Sequence, residues 1–401
     1  MPAIKNAKKN TAKPKSRISK KTQKTPKKKI AKVSSKKQAV KKKRKTVSKK
    51  PAELKRYSKN PVIEPGMYPW ESMAVFNPAA VSSGGRVHLF YRALGPDGVS
   101  RVGYASSPDG LRFDDRLSYP VYFIKTGSGN GAHSPYTTPV PLVYDQKLYA
   151  SGGGWGGCED PRCVLLDGRA YLTFNIFNGW NDMAVAVTSI KKEYLLKKNW
   201  VWSEMAYLSH PGDRQKNWVI FPEKFDGKFA VLHNLDLGDP GRVGIAYSRN
   251  LDYSEMPYGK DAPDPQQLPD HPVAWHVRTR SAAAPPIKTK DGWLLLYHAM
   301  GNIEPNKYKL GALLLDLKNP EKVLYRAEQP ILEPEEWYEN DWKPGIIYAS
   351  GAVVRRGRLY VYYGGGDKRV AVATIPLSEL TNSMKEKKAV KMQKADAFEL
   401  N

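Results

Sequence analysis

The sequence predicts an all-β protein, a five-bladed β-propeller preceded by a disordered basic tail. Three observations carry this. Period-2 alternation of apolar residues dominates the chain, and helical periodicity is nearly absent. A unit of two alternating strands joined by a polar loop recurs five times. The charge is confined to one end: 22 of the 65 Lys and Arg fall in residues 1–50, with no acid among them, and the remainder holds 43 bases against 39 acids.

The tail, residues 1–55, is Lys, Ser, Thr, Ala and Pro with few apolar side chains. Such a segment buries too little surface to offset its ordering entropy, so disorder is expected. Its charge suits non-specific binding of nucleic acid or another polyanion through residues 1–50, or an anionic membrane surface. It lacks a secretory h-region, and no run of about 20 apolar residues exists to span a membrane. Two cysteines, Cys158 and Cys163, argue against a disulfide framework and suit a reducing compartment. The expected location is the cytoplasm, with nuclear or nucleoid association through the tail.

The five units, within residues 56–380, begin at Gly84 (GGRVHLFYRAL), Asp167 (DGRAYLTFNIF), Asp226 (DGKFAVLHNLD), Asp291 (DGWLLLYHAM) and Arg356 (RGRLYVYYGGGD). Each has room for about four strands of five or six residues, and each buries its apolar faces only against neighbours. Radial repetition satisfies that requirement better than a sandwich does. Near the end of the first quoted strand of each unit stands a residue out of character with its run: Arg92, Asn175, His233 with Asn234, His298 and Asp367. If those strands line the axis, these side chains converge on one mouth. Residues 381–401 are expected to be a short tail, no more than a frayed helix.

The stretch Gly157-Cys-Glu-Asp-Pro-Arg162 sets two acids between glycines and a proline, turn formers that would suit a bare loop. With Phe76-Asn-Pro-Ala-Ala-Val81, Lys216-Asn-Trp-Val-Ile-Phe-Pro-Glu-Lys224, Tyr308-Lys-Leu-Gly-Ala312 and Tyr362-Tyr-Gly-Gly-Gly-Asp367, it resembles glycoside hydrolase family 130, the mannoside phosphorylases and related β-mannosidases. The resemblance covers about residues 60–380 and implies a five-bladed propeller. It implies Asp160 as general acid, acting through a sugar hydroxyl, and Asn77, Arg92, Tyr308 and Asp367 as sugar-binding residues, with Glu159 a neighbouring charge. A like charge next door would raise the Asp160 pKa and favour an acid still protonated near neutrality.

The resemblance also implies a phosphate subsite. Lys216, Asn217 and His298 match it, whereas Asn234 and Thr279 stand where cations are expected. A register shift of one residue would bring Arg278 or Arg280 into the second gap. The two losses favour hydrolysis over phosphorolysis. Hydrolysis with inversion needs a second carboxylate roughly 6.5–9.5 Å from the acid, and Glu223 is the candidate, with Asp367 behind it. The alternatives are a β-1,4-mannosyl phosphorylase using inorganic phosphate as co-substrate, and a non-catalytic glycan-binding propeller tethered by its tail. No metal or cofactor is expected. The loops 116–150 and 254–275 are expected to shape the leaving-group pocket.

Overall fold

The structure is a computed structural model that describes residues 52–124, 152–154, 156–177, 183–211, 213–236, 242–257 and 275–386. Nearly all of the basic tail, most of the two pocket loops and residues 387–401 therefore lie outside it. Strands dominate, as expected.

Five antiparallel meanders follow one another. Unit one is β1 (Ala74–Ser83), β2 (Arg86–Leu94) and β3 (Val99–Ser107). Unit two is β4 (Gly156–Leu166), β5 (Arg169–Phe177) and β6 (Met183–Lys191). Unit three is β7 (Val219–Phe225), β8 (Lys228–Asp236) and β9 (Arg242–Ser248). Unit four is β10 (Arg278–Ala282), β11 (Ile287–Thr289), β12 (Gly292–Met300) and β13 (Lys309–Leu315). Unit five is β14 (Ile347–Arg355), β15 (Arg358–Gly365) and β16 (Arg369–Pro376).

The Asp-Gly and Gly-Gly dipeptides that open the repeats are the tight turns between the first and second strands of these units. At Asp167-Gly168 φ is 50° and 76°, and at Asp226-Gly227 it is 48° and 75°. Two consecutive positive φ values define the hairpin turn whose twist matches its strands. The strand quoted first in each repeat is therefore the second strand of its unit, except in unit four, where β10 and β11 together take the first place and the quoted strand is β12. Contacts between units are made chiefly by the strands before those turns, β1, β4, β7, β10 and β14. This corrects the expectation that the strands bearing Arg92 and His298 are innermost. Alternation is the same in both strands, and only the contacts separate them.

Five apolar clusters fill the seams between units. Phe90 and Tyr104 meet Leu172 and Phe174 between units one and two. Val164 and Val187 meet Trp218 and Val231 between two and three. Phe221 and Leu232 meet Trp293 and Leu295 between three and four. Leu296 and Leu310 meet Ile347 and Val361 between four and five. Val353 and Val372 meet Val75 and Leu89 between five and one. Cys158 and Cys163 lie buried in the first of these, as reduced thiols whose pKa burial raises.

Units one and two are joined into a single sheet by a short parallel pairing, Val99 with Gly156 and Ser100 with Gly157. A Cβ at Gly157 would stand 2.2 Å from the Ser100 carbonyl oxygen, so only glycine permits the splice. At the other end of the chain, Lys55–Arg56 pairs with β16 as the outermost strand of unit five, and Leu54 is buried in the adjoining core. Of the segment from Thr381, the described residues, to Glu386, continue a helix, Leu377–Glu386, whose Leu380 and Met384 are buried in the same core; the rest of that expected tail lies outside the described residues.

Candidate active site

Every unit breaks register between its first strand and the strand that follows the turn, which in unit four is β12. The breaks fall at Phe76/Ala79, Glu159/Arg162, Ile220/Lys224, Thr279/Ser281 and Ala349/Gly351. A bulge bends its strand and re-aims a side chain. In units one and two it contains Asn77-Pro78 and Asp160-Pro161, where proline's missing N–H costs the ladder nothing. So Glu159-Asp160-Pro161 is the kinked start of a strand rather than a bare loop. Asn77, Asp160, Asn217 and Asp367 have φ of 47°, 48°, 66° and 54°. Non-glycine residues held there cost of order 1–3 kcal/mol each, and Asn and Asp tolerate it best.

These bulges place Asp160 in a buried charge cluster. Asn77 Nδ2 donates to Asp160 Oδ1 at 2.7 Å, and Arg92 Nη1 donates to the same oxygen at 3.2 Å. Arg92 Nη2 reaches Glu159 Oε1 at 2.8 Å, and Arg92 Nε reaches Ser100 Oγ at 2.9 Å. Lys216 Nζ donates to the other Glu159 oxygen at 2.9 Å. Arg162, only 2% exposed, donates to the Asp160 backbone carbonyl, to Asn217 Oδ1 and to the Tyr348 hydroxyl. Burial pushes the Asp160 pKa up, but the Arg92, Lys216 and Arg162 charges and the Asn77 hydrogen bond outweigh it and hold the carboxyl below its ordinary range. Asp160 is thus ionised at neutral pH here, opposite to the expectation of a raised pKa. Glu159 fails to repel it because both Glu159 oxygens face cations.

Asp367 pairs with Lys343 at 3.1 Å and lies within electrostatic range of Arg92. Asn217 exchanges hydrogen bonds with Asn175, and Asn234 holds the Lys216 carbonyl at 3.0 Å. Tyr308 lies half-buried beside His298 and Tyr348. His233 is buried against Trp218. His298 is fully buried and stacked on Tyr348, with ring centroids 4.4 Å apart. Burial, then the Arg162 charge, depresses its pKa to about 3. The Ala349 N–H donates to Nε2, so Nδ1 carries the proton and faces Ser281 Oγ at 3.1 Å. With both nitrogens occupied, His298 buttresses the cluster rather than presenting a charge to an anion.

Thr279 turns the other way. Its hydroxyl meets His276 Nε2 at 2.9 Å. The bulge between Thr279 and Ser281 leaves Arg280 as the extra residue, half-buried, with its charge felt at His298. Among the described residues Arg280 has no ion-pair or hydrogen-bond partner.

Glu223 is not part of this cluster. It pairs with Lys288 on the surface, its side chain 44% exposed. Six residues of β7 and its approach separate it from Asn217, about 20 Å at a strand's rise of about 3.3 Å per residue. Glu223→Gln is expected to leave turnover within about twofold and stability within about 1 kcal/mol, the ordinary worth of an exposed ion pair. Rate assays and urea unfolding check this.

Sequence reasoning gives no role to Arg162, Tyr348, Ser281 or Ser100, and offers Arg280 only as the alternative to Thr279 that a one-residue shift would bring in. Arg162 stands inside the quoted acidic stretch, where an arginine two residues past an acid on a strand shares its face. Nothing in the sequence marks Tyr348 or Ser100.

Residues 150–386 match the family described as beta-1,4-mannooligosaccharide phosphorylase. A 1,2-beta-oligomannan phosphorylase of Thermoanaerobacter sp. strain X514 is 34% identical, across 82% of this chain and 98% of that protein. The chain belongs to glycoside hydrolase family 130. A beta-1,2-mannobiose phosphorylase of the same organism is also 34% identical, across 80% of this chain and 97% of its own length. The fold agrees with that of the solved beta-1,2-mannobiose phosphorylase of Listeria innocua, with a TM-score of 0.61 at 22% identity, covering 83% of this chain and 99% of the other. As a family 130 protein, this is an enzyme acting on glycosides.

Proposed function

We propose that the five units close as a five-bladed propeller and that the enzyme is an inverting β-mannoside phosphorylase rather than a hydrolase. The closed ring is supported by the five seam clusters, the last of which joins unit five to unit one. Phosphorolysis is supported most directly by the position of Glu223. Hydrolysis needs a base beside the acid, and the leading candidate is ion-paired elsewhere. Glu159 is bound by Arg92 and Lys216, and Asp367 by Lys343.

The charge balance fits the same reading. Arg92, Arg162, Lys216 and Arg280 oppose Glu159 and Asp160, leaving two positive charges beside the neutral Asp367–Lys343 pair. A phosphate dianion matches that excess. Arg280 supplies the cation that Thr279 does not. In the reaction a phosphate oxygen attacks the anomeric carbon and the glycosidic C–O bond breaks. The proton of Asp160 passes, through a sugar hydroxyl, to the leaving oxygen. Asn77, Arg92, Tyr308 and Asp367 hold the sugar. Asp160 must first gain a proton, and bound phosphate favours this by opposing the cations that depress its pKa.

The 34% identical relatives named for β-1,2 linkages make β-1,2-mannobiose the first substrate to try. Sugar phosphate formed only in the presence of inorganic phosphate is the expected product. Free mannose released at the same rate without phosphate would overturn the reading. Arg280→Ala is expected to raise the KM for phosphate by about tenfold to a hundredfold, the loss of one charge-assisted bond of about 1.5–3 kcal/mol, with kcat changed only a few-fold.

A further inference from the structure

We propose, on the phosphorolytic reading above, that Arg162 is a positioning residue of this site: its one guanidinium holds the acid Asp160 and Asn217, which matches the phosphate subsite, in a single relative geometry. Nη1 donates to the Asp160 backbone carbonyl at 2.8 Å and to Asn217 Oδ1 at 3.2 Å. Nη2 donates to the Tyr348 hydroxyl at 2.9 Å, and Nε to the Ala283 carbonyl at 3.1 Å. Arg162 stands on β4 of unit two, and Asn217 leads into β7 of unit three. Ala283 follows β10 of unit four, and Tyr348 lies on β14 of unit five. One side chain therefore ties four of the five units together beside the acid.

Both of the tied site residues are strained. Asp160 and Asn217 have φ of 48° and 66°, and such backbone persists only where its surroundings over-determine it. The register break that kinks β4 runs from Glu159 to Arg162. The residue that closes the bulge thus reaches back to clamp it. Four of the five guanidinium N–H groups are committed in this way, which leaves no fork to grip an anion. Arg162 orients the groups that meet the reactants and does not meet the reactants itself.

Its four acceptors are neutral, whereas a buried cation is ordinarily paired with an acid. The Glu159 and Asp160 carboxyls meet Arg92, Lys216 and Asn77 instead. The Arg162 charge consequently acts across the cluster, as one of three cations that hold the Asp160 carboxyl below its ordinary range. Placement and charge can then be removed separately.

Arg162→Lys keeps the charge and loses the fork, and Arg162→Gln loses both. Each full-length variant is compared with the parent on β-1,2-mannobiose and inorganic phosphate across pH, and near-UV circular dichroism gives the folded fraction. A misplacement of about 1 Å costs about 100-fold, so kcat per folded enzyme should fall by about that factor in both. The KM for glycoside should hardly change, as for an interaction that counts in the transition state alone. The pH limb of Asp160 should stay in place in Arg162→Lys and move to higher pH in Arg162→Gln, because removing a cation eases protonation. Should neither variant fold, Tyr348→Phe removes one acceptor and leaves the charge; its kcat should fall about tenfold with the limb unmoved. A loss of kcat no greater than the loss of folded enzyme would overturn the proposal. So would a limb that stays put in Arg162→Gln, the pattern of a residue that serves the fold alone. If the parent instead releases free sugar without phosphate, the phosphorylase reading fails, and the same comparison is read on that hydrolysis.

Discussion

Asp160→Asn is expected to abolish turnover while leaving the fold intact. A positioned general acid contributes about 10²–10⁴ in rate, so kcat should fall by about that factor. Asparagine is the right probe because Asp160 sits at a φ of 48°, which Asn adopts at little cost and Ala does not. Its carbonyl oxygen can still accept from Asn77 and Arg92, so unfolding midpoints should stay close to the parent's. The pH profile supplies a second readout. The acid form of Asp160 is populated only below its depressed pKa, so activity at low phosphate should rise as pH falls. Saturating phosphate adds negative charge beside Asp160 and should move that limb to higher pH. A limb that stays put when phosphate is raised from trace to saturating would remove phosphate from the neighbourhood of Asp160.

The largest effect on stability is expected at Arg92. The residue is 1% exposed and spreads its guanidinium over Glu159, Asp160 and Ser100, above the Phe76 ring. Arg92→Met removes the cation but leaves the carboxylates, and breaking a buried pair on one side costs about 3–5 kcal/mol. Equilibrium urea unfolding should show that loss. If the cost arises from uncompensated charge, the double variant Arg92→Met/Glu159→Gln should recover part of it; if it arises from lost packing, the double variant should be no better than the single one. Arg92→Lys keeps the charge but cannot reach both carboxylates and the serine hydroxyl together. It should fold yet bind glycoside poorly.

Much of this site was legible before any coordinates, though not evenly so. The X-Gly turns that open the repeats, three of them Asp-Gly, are hairpin signals with a local cause, and five of them imply five units. Asn77, Arg92 and Asp160, drawn from separate stretches, do meet. What escaped is what depends on register. Alternation cannot tell a strand that lines a seam from its neighbour, so the wrong strand of each unit was placed innermost. Glu223 was the candidate base because an inverting hydrolase needs a second carboxylate, yet the six residues of extended chain from Asn217 carry it well clear of the cluster. The sign of the Asp160 shift was missed because a neighbouring acid repels only while its own charge is unmatched. The one-residue shift that would bring Arg278 or Arg280 to Thr279's place was foreseeable, but only the bulge between Thr279 and Ser281 singles out Arg280.

The pairing of Lys55–Arg56 with β16 has a consequence for how the protein is made. The outer strand of the last sheet comes from the beginning of the chain, and the ribosome delivers its partner more than 300 residues later. Until then Leu54 waits without its core. Once β16 emerges, its outer edge offers unsatisfied backbone groups to any passing strand. Completion of unit five is a late, long-range event, and a nascent chain arrested short of β16 would have no place to dock its own start.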